Sequence, residues 1–176
     1  MRRALILIAG FAALALLLAA AGSLLPVAHT AQVGIELRQP PAAIFQAITD
    51  VASYPSWRSG VDSIRVVTTA PRLRWRESGA QGTIEFEQVA ATPDRTVTAR
   101  IQGAREQGFG GSWTWELVPR PAGGTTLTIT ERGEVYNPLF RLLSRLIFSP
   151  YTSLEQYARD LAARFGEPAA PERSAQ

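Results

Sequence analysis

Hydrophobic and polar positions divide the 176-residue chain into three stretches. From Ala4 to Leu25 an apolar run of 22 residues carries no charge, and Pro26 closes it. As a helix this run reaches roughly 33 Å, against a hydrocarbon core of about 30 Å, so a transmembrane helix is expected. A cleaved signal peptide is the alternative, because Ala19-Ala20-Ala21 satisfies a small-residue cleavage rule. Beyond Pro26 the pattern changes. Gln32–Arg38 alternates Val33, Ile35 and Leu37 with polar neighbours, the period of a half-buried strand. Pro40-Pro41 then ends the strand and opens a helix over Pro41–Asp50, where Ile44, Phe45 and Ile48 recur at helical spacing. A second short helical stretch follows over Val51–Arg58, interrupted at Pro55.

Six runs with strand character come next: Val61–Thr68, Arg72–Glu77, Thr83–Ala90, Thr96–Gln102, Ser112–Pro119 and Thr125–Glu131. Turn signals separate them, among them Ala70-Pro71, Pro93-Asp94 and the glycine-rich Gly108–Gly111, which is expected to be a hairpin loop. Short turns between consecutive strands predict an antiparallel sheet. Asn137–Gly166 is helical, divided at Pro150, with Ser149 and Pro150 opening the longer C-terminal helix. The expected divisions are residues 1–29 as membrane segment, 30–166 as one α+β domain and 167–176 as a disordered tail.

Composition removes much chemistry. There is no Cys and a single His, His29, which excludes thiolate nucleophiles, Cys-ligated metals and most catalytic triads. No metal or cofactor site is expected. The basic residues are 18 Arg and no Lys, which excludes Schiff-base chemistry and Walker-type phosphate binding. Setting aside Arg2 and Arg3, 16 Arg face 15 acids, a balance of +1 with no basic stripe, so nucleic acid is not an expected partner. Arg2 and Arg3 ahead of the apolar run keep the N-terminus cytoplasmic and place the domain on the extracytoplasmic side of the cell membrane.

Residues 31–166 resemble the START-like superfamily, most of all its polyketide cyclase/dehydrase and lipid-transport branch. The resemblance rests on the order of elements, on Ile48-Thr49-Asp50, Tyr54-Pro55-x-Trp57, Trp75-Arg76-Glu77 and Ile84-Glu85-Phe86-Glu87, on Gly111-Ser112-Trp113-Thr114-Trp115 and on Gly124-Thr125-x-Leu127-x-Ile129-x-Glu131-x-Gly133. It implies a helix-grip fold: a seven-stranded curved antiparallel sheet wrapped around a long C-terminal helix, with two short helices. It also implies a cavity between sheet and helix. Strand alternation around that cavity gives Trp75, Phe86, Trp113, Trp115, Ile129 and Glu131 as candidate ligand contacts, and the cavity that the resemblance implies adds Trp57, Ile147, Tyr151 and Leu154. Trp57 either gates that cavity or packs the short helix onto the sheet.

Glu77 and Glu131 fall on the apolar phase of their strands, where a carboxylate needs solvent, a partner or a raised pKa. They are the candidate general bases, with Tyr136, Tyr151 or Tyr157 as proton donor. Leu139–Phe148 carries a heavy apolar load with Arg141 and Arg145 one turn apart. It either lies on a membrane interface with its Arg stems snorkelling or packs across the mouth of the sheet. The expected function is a membrane-anchored module that binds or transfers a hydrophobic small molecule or lipid; the alternative is a cyclase or dehydrase.

Overall fold

The computed structural model describes residues 2–80, 82–147 and 149–174, apart from the side chains of residues 2–6 and 145–147. Helix α1 (Arg2–Ser23) precedes strand β1 (Ala28–Leu37), helix α2 (Pro41–Thr49) and a 3-10 helix (Val51–Ser56). Strands β2 (Ser63–Thr68), β3 (Arg74–Gly79), β4 (Gly82–Thr92) and β5 (Thr96–Ile101) follow. After the short helix α3 (Ala104–Gln107) come β6 (Phe109–Pro119), β7 (Thr125–Val135), α4 (Pro138–Ile147), α5 (Tyr151–Arg164) and β8 (Glu172–Arg173). The fold is α+β and helix-grip-like, with α5 packed on β1 and β7.

The sheet has eight strands in the order β2-β3-β4-β5-β6-β7-β1-β8, one more than the alternation predicts. The extra strand comes from the tail: Glu172 and Arg173 pair with Gly34 and Val33 of β1. Two residues carry no readable period. Just before it, buried Glu167 accepts hydrogen bonds from the Arg38 amide at 2.7 Å and Gln39 Nε2 at 3.0 Å. The glycine-rich segment is a second correction. Its residues from Phe109 onward belong to β6, paired with β7 from Phe109↔Val135 to Pro119↔Thr125.

Strand alternation translates directly into the core. Val33, Ile35 and Leu37 of β1, Val97 and Ala99 of β5, Trp115 and Leu117 of β6 and Leu127 and Ile129 of β7 are all buried. Leu154, Tyr157, Ala158, Leu161 and Ala162 of α5 are buried with them in one cluster. Burying a Val, Leu or Ile side chain is worth about 1.5–3 kcal/mol, so this inner layer is the main source of stability.

The expected transmembrane helix is not found: among the described residues no helix is long and apolar enough to cross a membrane. Helix α1 nevertheless exposes Leu7, Ile8, Phe11, Leu14, Leu16 and Leu17. At 100° per residue these side chains are distributed around the whole helix.

Candidate functional site

Two regions gather the polar and aromatic side chains. The first lies inside the sheet, between β3, the 3-10 helix and α5. Arg58 Nη1 donates to Glu77 Oε1 at 2.8 Å, and Trp75 Nε1 donates to the same oxygen at 2.9 Å. The Arg58 guanidinium stands 4.6 Å from the Tyr54 ring centroid and 5.0 Å from that of Tyr157. Both phenols are buried, and burial pushes them above the usual tyrosine range. The Tyr54 hydroxyl donates to the Ile48 carbonyl at 2.6 Å. Tyr157 OH sits beside Tyr54 without a well-formed hydrogen bond, and Trp115 Nε1 also has no partner among the described residues. Unpartnered donors in a core can take a water molecule or a polar ligand group.

Rings complete this region. Trp75 stacks on Phe86 at 5.6 Å, while Trp113 and Trp115 each meet Tyr157, at 5.8 and 5.5 Å. Trp57 meets Tyr54 at 5.4 Å and Tyr157 at 5.6 Å, edge to face. That position joins the 3-10 helix to α5. Ile129 and Leu154 are fully buried beside these rings. Phe86, Trp113 and Tyr151 pack against the core while partly exposed.

The second region lies where β1 starts and β7 ends. A cavity of about 600 Å³ is walled by Pro26, Val27, Ala28, His29, Thr30, Val135, Arg141, Ser144, Ser149 and Pro150. His29 and Gly133 are cross-strand partners, as are Ala31 and Glu131. A Cβ on Gly133 would lie 2.3 Å from the His29 ring, so only glycine leaves room for the imidazole to cross the strand. The ring then reaches Glu131, with Nε2 at 3.4 Å from Oε1 and both side chains largely buried.

Arg141 forms the floor. Its residue is 6% exposed, and its Nε donates to the Val135 carbonyl at 2.8 Å. Nη1 donates to the carbonyls of Gly22 at 3.3 Å and Leu25 at 2.9 Å; Nη2 donates to that of Tyr136 at 2.9 Å. The guanidinium therefore binds the end of α1 to α4 instead of snorkelling, so of the two alternatives for this segment Arg141 takes the packed one. Close approach makes this possible, since a Cβ on Gly22 would fall 1.9 Å from the Pro138 carbonyl oxygen. Leu139, Phe140 and Leu143 stay exposed on α4. The side chains of Arg145 and Ile147, and all of Phe148, lie outside the described residues.

Of the candidate bases, then, Glu77 is tied to Arg58 and Glu131 to His29. Tyr136 donates to Glu134 on β7, a contact that raises the phenol's pKa, and Arg105 lies 5.6 Å over its ring. The structure thus places Glu77 and Glu131 in different regions. The residues that the sequence reading missed are His29 and Arg141 as pocket walls. The Glu131-x-Gly133 spacing was the available signal, because a glycine two residues from a carboxylate clears one face of the strand.

At the opposite end of β1 and β7 a groove of about 730 Å³ runs between the start of α2 and the β4–β5 turn. Its charged walls are Asp94, Arg95 and Glu116, all exposed, and among the described residues it contains no buried charge.

Comparison with solved structures shows the fold at low identity. A START superfamily protein from Mycobacterium smegmatis superposes with a TM-score of 0.59 at 17% identity, over 77% of this chain and 96% of that one. Truncated norcoclaurine synthase from Thalictrum flavum gives 0.64 at 10%, over 81% and 96%. The ZhuI aromatase/cyclase from Streptomyces sp. R1128 gives 0.60 at 11%, over 78% and 93%. No curated protein matches the chain. Residues 28–165 match the family of polyketide cyclase/dehydrase and lipid transport proteins, and the chain belongs to that family.

Proposed function

We propose that this protein is a membrane-attached, extracytoplasmic module that binds or transfers a hydrophobic small molecule or lipid. The observation that carries the reading is the make-up of the second cavity: Pro26 and Val27, directly after α1, form part of its wall. A ligand leaving a bilayer beside α1 would meet that cavity first. The apolar circumference of α1 supports membrane attachment, since a helix apolar all round is suited to an apolar surrounding. A mostly apolar pocket with a few polar groups is the usual form of a small-molecule site. Native mass spectrometry of the full chain in nanodiscs tests the reading. A co-purifying lipid or apolar small molecule is expected, and a protein that neither retains nor takes up any would defeat it. Arg2 and Arg3 support the extracytoplasmic side, and a C-terminal reporter active only in the cytoplasm would reverse the orientation.

The His29–Glu131 pair favours one second reading. An imidazole and a carboxylate in contact beside a cavity can move a proton, as a cyclase or dehydrase step requires. A candidate substrate that loses the mass of one water with the native protein, and not with Glu131→Gln, would establish it.

A further inference from the structure

We infer that the cavity beside α1 takes an amphiphile with an anionic head, held at the Arg141 guanidinium. This rests on the hydrophobic-ligand reading above and names the class of ligand. A guanidinium has five N–H donors. Nε uses one, Nη1 two and Nη2 one, all on main-chain carbonyls, which leaves one Nη2 hydrogen. Every acceptor is neutral. No carboxylate lies within ion-pair distance of Arg141 among the described residues.

A cation this deeply buried is strongly disfavoured without compensation. The carbonyls of Gly22 and Leu25, at the negative end of α1, supply partial charge only. An anion would supply the remainder. The rest of the cavity agrees. No acidic side chain is among its described walls; the Glu131 carboxylate approaches it only through its contact with the His29 imidazole.

The start of α5 enters through Ser149 and Pro150, with no acidic residue in its first turn. That helix end adds positive potential on the same side. The Ser149 hydroxyl accepts from the Tyr151 amide and keeps its proton for a ligand, whereas the Ser144 hydroxyl already donates to the Arg141 carbonyl. Pro26, Val27, Ala28 and Val135 provide an apolar wall for a chain that runs back toward α1. Carboxylate and phosphate monoester heads satisfy this chemistry equally, so both are tested.

Full-length protein in phosphatidylcholine nanodiscs is titrated with NBD-dodecanoate and with its methyl ester, against empty discs. The acid is expected to bind roughly tenfold tighter than the ester. Arg141→Gln should bring the two together, and Arg141→Lys should restore part of the difference. Ala28→Phe fills the cavity without touching an Arg141 hydrogen bond and should abolish both.

Lysophosphatidate is expected to displace the acid, and inorganic phosphate at the same concentration is not. Displacement by phosphate alone would mean a free-anion site and overturn the amphiphile. Equal binding of acid and ester by the native protein would overturn the anionic head while leaving the hydrophobic-ligand reading intact. Binding of neither probe would defeat both. Selective acid binding that survives Ala28→Phe would place the site elsewhere and overturn the inference. The acid-to-ester ratio of the native protein decides the matter even if Arg141→Gln fails to fold.

Discussion

Arg58 and Arg141 are both largely enclosed arginines, yet their surroundings differ in kind. Arg58 has a carboxylate at 2.8 Å and lies between two tyrosine rings. Among the described residues Arg141 has only neutral carbonyls as partners, and it borders a cavity of about 600 Å³. The first arrangement is closed electrically and sterically, so its chief effect is to fix the sheet against the 3-10 helix and α5. The second is open in both respects. A buried charge completed by its own chain holds structure; one left incomplete beside a cavity is a place for something else to bind.

The sharpest way to break this contrast is to remove one partner of the closed pair. Glu77→Ala strands the Arg58 charge and a Trp75 donor, and should destabilise the protein by about 3 kcal/mol in urea unfolding. The double variant Arg58→Met/Glu77→Leu should recover most of that loss. A similar loss in the double variant would show that the pair's hydrogen bonds matter more than its charge balance.

Next in size is Gly22→Val. Its Cβ would collide with the Pro138 carbonyl, a main-chain atom that cannot swing aside, so α1 must separate from α4. A loss of about 1–3 kcal/mol is expected, with faster proteolysis near Leu24 and Leu25. Unchanged proteolysis would mean that Arg141 alone holds the two helices.

Smaller still is Gly133→Ala, which displaces the His29 ring. Thermal stability should fall by about 1 kcal/mol, and NMR should show the His29 ring resonances displaced from their native positions while those of the Trp75 ring stay in place. The smallest effect is expected at β8. Arg173 and Arg159 hold the Glu155 carboxylate below its usual range. Because the folded pKa is depressed, this contribution is present above the ordinary carboxylate range and disappears as pH falls through the folded value. The protection factors of the Glu172 and Arg173 amides, taken against intrinsic exchange at each pH, should therefore fall in acid while those in β6 and β7 do not. An equal fall throughout would indicate global unfolding.

These contrasts also show why one region was readable from the sequence and the other was not. Val33, Ile35 and Leu37, or Leu127 and Ile129, announce their burial by alternation, and the Trp residues share the same phase. Glu77 stood out because it broke that phase. Arg141 did not, since its partners are carbonyl groups of Gly22, Leu25, Val135 and Tyr136, and every residue has a carbonyl. His29 met Glu131 only through the pairing of the first long strand with the last, a non-local register that no local pattern displays. Likewise α3 and β8 are too short to carry a period.

The connection between α1 and β1 has a consequence for how the domain could operate. Only Leu24, Pro26 and their two neighbours separate Ser23 from Ala28, and the Val135 amide already donates to the Val27 carbonyl at 2.9 Å. Fully extended, four residues span at most about 14 Å. If α1 resides in a bilayer, the domain has almost no tether with which to swing outward or sample a facing membrane. It would work as a fixed station at the surface, and any onward carriage of its cargo would fall to a partner that comes to it.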